Sequence, residues 1–593
     1  MRYLLSFAVA LLCSVCATYA VRAAAHRLGL IAHPRADRWH RRPTALYGGV
    51  AMYAGLLCAH LALPAARGGG VNFLMFCASA MFVLGLVDDR LHLKPHVKLA
   101  AQIIVSALFT RYGLRLQWLP NEVLDQALTI FWLVGITNAL NLLDNIDGLA
   151  AGVAAIGALF LVYLCHRAGR PDHAALSAAL CGTAVGFLLF NFNPATIFMG
   201  DCGSLLLGFF LGGMALTNTQ MGGRRNLLAV LLVPVLLLLL PIVDTTLVTI
   251  SRKLAGRPIS TGGKDHASHR LVALGLSERA ATVTLWTLAA AGGGAAVLVQ
   301  SASAFISIGL VALLLLACLY IMVFLGRVQV YGPADAAARA RGLALLPTLA
   351  DFSYKRRIFE VSSDLILIIL CYYMAFLLRF DGQLPEPFYG QLLRSLPAIV
   401  CVQLGAFLCC GLYRGLWRYT GLSDLLLQLR AVLMAASFSA LAVLIEFRFE
   451  GFSRAVFAID AMLLLLLVSG SRLSFRLMHL WVQRRRRLPQ GRRTLIYGAN
   501  EGGELVVQEL LRSPQLGLLP VGFVDDDPRT QGRVIHGLRV LGSAKELPLL
   551  LRDEQVTEVV VAPGALAAGQ LGELQRTCGG AGARIRQMRI SLE

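Results

Sequence analysis

Residues 227–243 read LLAVLLVPVLLLLLPIV, seventeen consecutive positions without a charge or a hydrogen-bonding side chain. A helix of that length rises about 25 Å, close to the roughly 20 residues needed to cross bilayer hydrocarbon. Runs of the same kind occur at residues 3–20 (YLLSFAVALLCSVCATYA) and 305–325, and they recur from the first residue to about Leu480. Across all 593 residues, 57% are apolar and only 15% charged. A soluble domain carries about a quarter charged residues, so this apolar excess requires a non-aqueous partner. The chain therefore reads as a polytopic all-α membrane protein.

About eleven apolar runs precede Leu325, roughly 3–22, 46–64, 71–87, 97–113, 122–140, 149–166, 174–191, 203–217, 227–250, 280–299 and 302–325, and about four more lie between Ile358 and Ser471. With the amino terminus outside, the loops 23–45, 86–96, 141–148, 191–202 and 251–279 fall on one side. That side carries Arg27, Arg35, Arg38, Arg41, Arg42, Arg252, Lys253, Arg257, Lys264 and Arg270. The positive-inside rule makes it cytoplasmic, although Arg111, Arg115, Arg224 and Arg225 blur the contrast. Four domains follow: a polytopic block over 1–325, a linker over 326–357, a four-helix membrane block over 358–490, and a tail over 491–593. The linker carries Gly332-Pro333 and Tyr354-Lys355-Arg356-Arg357, and the second block ends in Arg484-Arg485-Arg486-Arg487. In the tail, strand-like Thr494–Tyr497, Val521–Val524 and Val559–Val561 alternate with a helical Glu501–Leu511, which predicts a small cytoplasmic α/β, Rossmann-like domain.

The net charge of +20 would suggest nucleic acid in a soluble protein. Here the basic residues concentrate between apolar runs, as cytoplasmic loops do, and no basic–aromatic interleaving of the single-strand-binding kind stands out. The bilayer is the partner and nucleic acid is not. Cysteines such as Cys13, Cys16, Cys58, Cys77, Cys318, Cys409 and Cys410 lie in apolar runs and read as small fillers. The first run is either a signal peptide or an uncleaved helix. The basic segment from His33 favours the helix, and Arg2 argues the other way.

Carboxylates at membrane ends are functional candidates by default, and four clusters occur on the basic side. Asp88-Asp89 ends the third run. Asn138, Asn141, Asp144, Asp147 and Gly148 follow the fifth. Asn191-Phe-Asn193-Pro194-Ala-Thr-Ile-Phe198-Met-Gly200-Asp201-Cys-Gly203-Ser204 fills the loop after the seventh, and Lys264-Asp265-His266-Ala-Ser-His269-Arg270 the loop after the ninth. The spacing of three puts Asn138, Asn141 and Asp144 on one helix face. Adjacent aspartates repel, so Asp88-Asp89 stays ionised most easily beside a divalent cation or basic groups. Oxygen ligands on loops suit Mg²⁺, which takes a few carboxylates, water and substrate phosphates; Mn²⁺ is the second choice of ion. Arg90, Lys94 and Lys98 would neutralise further phosphate charge. Each cluster alone has a plainer reading: a loop cap, a polar helix seam, an N-cap at Asp201, surface histidines. Four together on one membrane face argue for a site.

At these residues the chain resembles the polyprenyl-phosphate N-acetylhexosamine-1-phosphate transferase family over roughly residues 1–325. The resemblance rests on Arg38-x-His40-x-x-Pro43-Thr44 with Gly48-Gly49, on Asp88-Asp89, on the ladder to Gly148, on Phe198-Met-Gly-Asp201-x-Gly-Ser, and on the late histidines, all in order. It implies attack of undecaprenyl phosphate on the β-phosphorus of a UDP-N-acetylhexosamine, with release of UMP. Such a reaction needs positive charge and orientation more than covalent chemistry. The resemblance implies Asp201 as Mg²⁺ ligand, Asp88 at the lipid phosphate with Asp89 beside it, and His266 and His269 at phosphate or sugar. Asn138, Asn141, Asp144, Asp147, Asn191 and Phe198 would line the nucleotide side, with Arg38, His40 and Lys98 as further substrate contacts. Two departures stand out. Asn145 replaces the family's usual Gly, and Asp265-His266-x-x-His269 replaces a triple histidine, which favours a simple N-acetylated sugar, GlcNAc first, over the peptidoglycan precursor. The product would initiate a cell-surface polysaccharide at the bacterial plasma membrane.

Residues 355–593 resemble the amino-terminal half of membrane-anchored nucleotide-sugar dehydratases and epimerases. Tyr497-Gly498-Ala-Asn500-Glu-Gly502-Gly503 stands where a dinucleotide loop belongs, which makes Gly498, Gly502 and Gly503 candidate nucleotide contacts, yet Asn500 replaces the second glycine. Tyr497 and Lys545 are the only tyrosine and lysine of the tail and are not spaced as a catalytic pair, so a nucleotide- or nucleotide-sugar-binding, regulatory or scaffolding role is expected. A homo-oligomer is compatible with all of this. Two other classes compete with an enzyme: a lipid-linked sugar transporter, which predicts charges deep within the runs, and an inactive nucleotide-sugar-sensing scaffold.

Overall fold

The computed structural model describes the chain apart from residues 33–42, 63–68, 220–226, 255–256, 258–262, 264, 302–303, 327, 329–351, 383, 385, 414–421, 451, 487–490, 514–515, 566–570 and 589–593. Arg38, His40, Lys264 and most of the linker lie outside the described residues. Two compact units are present, residues 1–482 and 483–593.

Among the described residues, eleven helices are long and apolar enough to cross a membrane, seven ending by Gly326 and four after it. In the first block these are α1 (Arg2–Arg27), α3 (Gly69–Leu91), α5 (Glu122–Leu143), α6 (Leu149–Arg167), α7 (Pro171–Asn191), α12 (Glu278–Ser301) and α13 (Ala304–Gly326). Shorter helices fill the remaining runs: α2 (Gly48–Ala62), α4 (Pro95–Arg111) and α8 (Gly200–Thr219). The apolar run over 227–243 is split between two helices, α9 (Leu227–Leu237) and α10 (Leu239–Leu254). Pro234 lies inside α9 and Pro241 in the first turn of α10, and each removes a backbone donor. A seven-residue helix, α11 (Ala267–Ala273), follows α10. Two short strands, β1 (Ile31–Ala32) and β2 (Thr44–Ala45), pair antiparallel between α1 and α2. The four-helix block comprises α14 (Phe352–Arg379), α15 (Phe388–Cys409), α16 (Leu422–Phe447) and α17 (Arg454–Arg486).

Large apolar side chains such as Leu12, Phe131, Leu189 and Ile445 are more than 60% exposed, as residues facing lipid tails should be. Lipid is as apolar as leucine, so helices in a bilayer associate through close packing of small residues and through internal hydrogen bonds. Both occur. A Cβ at Gly85 of α3 would overlap the backbone of Asp201 and Cys202 in α8, and one at Gly49 of α2 would overlap Gly203. A Cβ at Gly208 would stand 2.7 Å from Thr137 Cα of α5. Helix α8 is thus gripped from three sides. The first helix belongs to the bundle: Ser14 Oγ donates to Thr183 O of α7 at 2.9 Å. In the second block, Arg472 donates to Asp364 (2.8 Å) and Gln403 to Asp460 (2.6 Å), all four residues buried.

The second unit is a six-stranded sheet, β3 (Arg492–Tyr497), β4 (Leu518–Val524), β5 (Val534–Ile535), β6 (Leu538–Gly542), β7 (Glu558–Val561) and β8 (Arg584–Gln587), in the order β5-β6-β4-β3-β7-β8. All neighbours are parallel except β5 and β6. The chain moves outward one way from β3 and then restarts at β7 on its other side, the doubly wound pattern of nucleotide folds. The membrane protein with a carboxyl-terminal α/β domain is therefore present as the composition and strand pattern predicted.

Candidate functional site

The ends of α3 and α5 and the first turn of α4 meet the start of α8. Gly200 takes φ +75° there, and its absent side chain leaves room for Asp89, whose carboxylate oxygens would lie 2.7 and 3.1 Å from a Cβ at that position. Asp89 accepts from the backbone N–H of Asp201 (2.8 Å) and of Cys202 (3.0 Å). These are two of the amides a helix leaves unpaired at its start, so Asp89 of α3 caps α8 and sets the direction of Asp201.

Two side chains, Asn141 and Lys98, bond to the Asp201 carboxylate. Asn141 Nδ2 donates to its Oδ1 at 3.1 Å and to Ser204 Oγ at 2.8 Å. Lys98 of α4 pairs with Asp201 Oδ2 and, at 2.8 Å, with Asp88 Oδ2. Asp88 also accepts from Leu93 N at 2.8 Å. One ammonium group thus bridges a carboxylate of α3 and a carboxylate of α8. Asp144 lies just beyond the end of α5, half-buried. Burial, with Asp201, Asp147 and Asp89 nearby, pushes its carboxyl up to about 7.

Other ladder residues build the scaffold. Asn138 pairs its amide with Gln102 Oε1 (2.6 Å) and Val134 O (2.8 Å). Asn191 is buried; it accepts from Gly148 N (3.1 Å) and donates to Ile197 O (2.9 Å). Asp147 Oδ2 accepts from Ala195 N (2.9 Å) and Asn193 Nδ2 (3.2 Å), while Asn193 also donates to Glu278 (2.7 Å). Asn191 and this oxygen of Asp147, read as nucleotide contacts, therefore tie the loops after α5 and α7 together, while Asn138 joins α5 to α4. Half-buried Phe198 is woven in by its backbone: its N–H donates to Ala45 O and its carbonyl accepts from Gly48 N, both at 2.8 Å.

The late histidines join from the far side. Ser268 Oγ donates to Asn145 Oδ1 at 2.6 Å, so the asparagine that departs from the family pattern ties α11 to the residue beside Asp144. His266 and His269 stack edge to face with centroids 6.0 Å apart, both buried. Arg252 forks onto Asp265 at 2.9 and 3.1 Å. Arg270 donates to the carbonyls of Asp265 (2.7 Å), Leu325 (2.9 Å) and Val328 (3.2 Å). Gln102, Asp244 and Glu278 did not stand out in the sequence. The signal that could have found Asp244 is a lone carboxylate interrupting an apolar run.

A divalent cation fits this donor set. Asp88 and Asp201 already share a cation in Lys98, and Asp144 is a carboxylate crowded by three others. Among the described residues no three His, Cys, Asp or Glu side chains are grouped closely enough to cage a metal.

In the second unit Gly498 takes φ +104° after β3, a Cβ at Gly503 would overlap Gly498 O, and one at Gly502 would overlap Pro563 O. Gly503 lets the helix start close to the end of β3, and Gly502 lets it close on the loop after β7. Asn500 caps the following helix by accepting from Gly503 N at 2.9 Å, and Asp525 accepts from Ala499 N. The loop amides of Ala499 and Gly503 are bonded within the chain itself.

The profile of the family described as Glycosyl transferase family 4 matches residues 71–219, the stretch holding Asp88, Asp89, Lys98, the ladder and Asp201. A profile described as a CoA-binding domain matches residues 409–588. The chain is 31% identical over 324 residues to a probable undecaprenyl-phosphate N-acetylglucosaminyl 1-phosphate transferase of Bacillus subtilis, covering 53% of this chain and 90% of that protein. It is 35% identical over 306 residues to a decaprenyl-phosphate N-acetylglucosaminephosphotransferase of Mycolicibacterium smegmatis, covering 46% and 75% respectively. A phospho-N-acetylmuramoyl-pentapeptide-transferase of Shouchella clausii is 30% identical over 274 residues, 41% of this chain and 79% of that protein.

Proposed function

The chain belongs to the polyprenyl-phosphate N-acetylhexosamine-1-phosphate transferase family, and on that footing we propose that it moves GlcNAc-1-phosphate from UDP-GlcNAc to undecaprenyl phosphate on the cytoplasmic face of the plasma membrane. The transfer would start a cell-surface polysaccharide. An oxygen of the lipid phosphate forms a bond to the β-phosphorus of the donor. The bond from that phosphorus to the bridging oxygen breaks, and UMP leaves with the electron pair.

The observation that carries the reading is the convergence of Asp88, Lys98, Asn141 and Asp201. Two anions must approach each other, so the site must supply positive charge where phosphates meet. Lys98 is the side chain positioned to do so. A phosphate monoester has its second pKa near 6, so at neutral pH the attacking oxygen is already ionised. Asp88 then orients the lipid phosphate through Lys98 and does not need to remove a proton. Asp201, with Asp88 beside it, would hold Mg²⁺. The ion when bound would neutralise the diphosphate and stabilise the leaving UMP. Asn141 keeps Asp201 aimed, and His266 and His269 close the site from α11 against sugar or phosphate. The choice of GlcNAc is supported by the relatives from Bacillus and Mycolicibacterium, whose names specify it, and by the His266-x-x-His269 spacing.

The test is transfer of radiolabel to undecaprenyl phosphate by the purified full-length chain, across a panel of UDP-sugars with and without Mg²⁺. UDP-GlcNAc is expected to give a chloroform-soluble product and UMP only with the ion. Asp201→Ala is expected to lose at least about a hundredfold in rate. No lipid-linked product from any donor, or an undiminished Asp201→Ala variant, would end this reading.

A further inference from the structure

Asp244 sits in the apolar body of α10 and is 1% exposed. A carboxylate in such surroundings costs several kcal/mol unless its oxygens are hydrogen-bonded. Its two oxygens each take one donor: Nδ1 of His266 at 2.7 Å and the backbone N–H of Ala267 at 2.7 Å. An ionised carboxylate only accepts, so the Nδ1 of His266 carries the hydrogen and its Nε2 is the remaining edge. That Nε2 makes no hydrogen bond among the described residues. The flanking residues are fixed independently, Asp265 by the Arg252 fork and Ser268 by Asn145. The segment is thus pinned on both sides of His266 while one ring nitrogen is left for a ligand.

We propose that Asp244 is a positioning residue for sugar-1-phosphate transfer: it locks His266 in the Nδ1–H tautomer and presents Nε2 to the donor's sugar or diphosphate. The inference rests on the proposed role of His266 at the substrate. Asp244 stands 22 positions before His266, in the helix whose last turn also supplies Arg252 to Asp265. The Ala267 amide is the first of α11, so one Asp244 oxygen caps that helix as Asp89 caps α8, and the other is committed to the His266 ring.

The experiment uses the full-length chain in nanodiscs. Rates are measured for wild type, Asp244→Asn, Asp244→Ala, His266→Ala and the Asp244→Ala/His266→Ala double variant. Nitrogen-15 histidine spectra, with the His266 signal assigned from the His266→Ala variant, report the tautomer. Asp244→Asn keeps the volume but offers either an acceptor or a donor to the ring. It is expected to lower kcat at least about tenfold with little change in KM and to convert His266 from a single tautomer to a mixture. The double variant is expected to be no slower than His266→Ala alone, because the two residues act as a unit. Additive losses in the double variant, or a wild-type rate and tautomer in Asp244→Asn, would overturn the proposal. Since Asp244→Asn is nearly isosteric, it decides the matter even where Asp244→Ala does not fold. A wild-type rate in His266→Ala would remove both residues from the reaction while leaving the transferase reading standing. That reading fails separately, if the unmodified chain makes no product.

Discussion

Asp144 is a side chain whose burial among other carboxylates opposes folding. Burial beside Asp201, Asp147 and Asp89 raises its carboxyl to about 7. Between the ordinary carboxylate range and pH 7 the folded chain holds a proton that the unfolded chain releases. Stability therefore falls as pH rises through that window, and the penalty is fully present above it. In EDTA, Asp144→Asn is expected to melt higher than wild type at pH 8 and to match it at pH 4, read by thermal unfolding in detergent. The same variant should transfer sugar phosphate at least about tenfold more slowly. A variant that is no more stable at pH 8 would show that Asp144 is relieved by a group other than a bound cation.

At the scale of elements, the site is built where α3 and α8 touch without side chains between them. Gly85 lies against the backbone of Asp201, and Asp89, one turn further on, caps the amide of that same residue. Gly85→Ala should force α3 and α8 apart and displace the cap together with the carboxylate. A displacement near 1 Å is enough to cost on the order of a hundredfold in rate. Transfer assays on Gly85→Ala and on Gly135→Ala, whose added Cβ meets nothing within 4 Å, separate this from a general effect of altering a membrane helix. The first should be crippled and the second should work normally. Buried pairs such as Arg472–Asp364 and Gln403–Asp460 play the corresponding role in the second block, where internal hydrogen bonds supply cohesion that lipid does not.

At the scale of the molecule, every described residue assigned to the transfer lies in the first compact unit, and residues 483–593 form the second. A chain ending at Arg486, the last residue of α17, is expected to retain transfer within a few-fold of wild type, measured by the same radiolabel assay at matched protein. Loss of activity with an intact fold would tie the α/β unit to the reaction.

Much of this architecture is legible in the amino-acid order alone. The unbroken apolar runs predict a bilayer protein because backbone polar groups in hydrocarbon must be satisfied within helices. The spacing of Asn138, Asn141 and Asp144, the Asp88-Asp89 pair and Asp201 all point to one anionic-substrate face. These features are local in the chain, so periodicity and composition suffice to read them. The class of the protein and the identity of its charged motifs are set at that level. The bonding partner of each polar atom is not, and it emerges only from the folded arrangement. Folding turns Asn191 inward to hold a loop, pairs Asn138 with Gln102 across two helices, makes Asp89 a cap, puts Lys98 between Asp88 and Asp201, and brings Asp244 to His266. Hydrogen bonds act through space over about 3 Å, and Asp89 and Asp201 meet although they stand 112 positions apart. No spacing along the chain encodes that meeting.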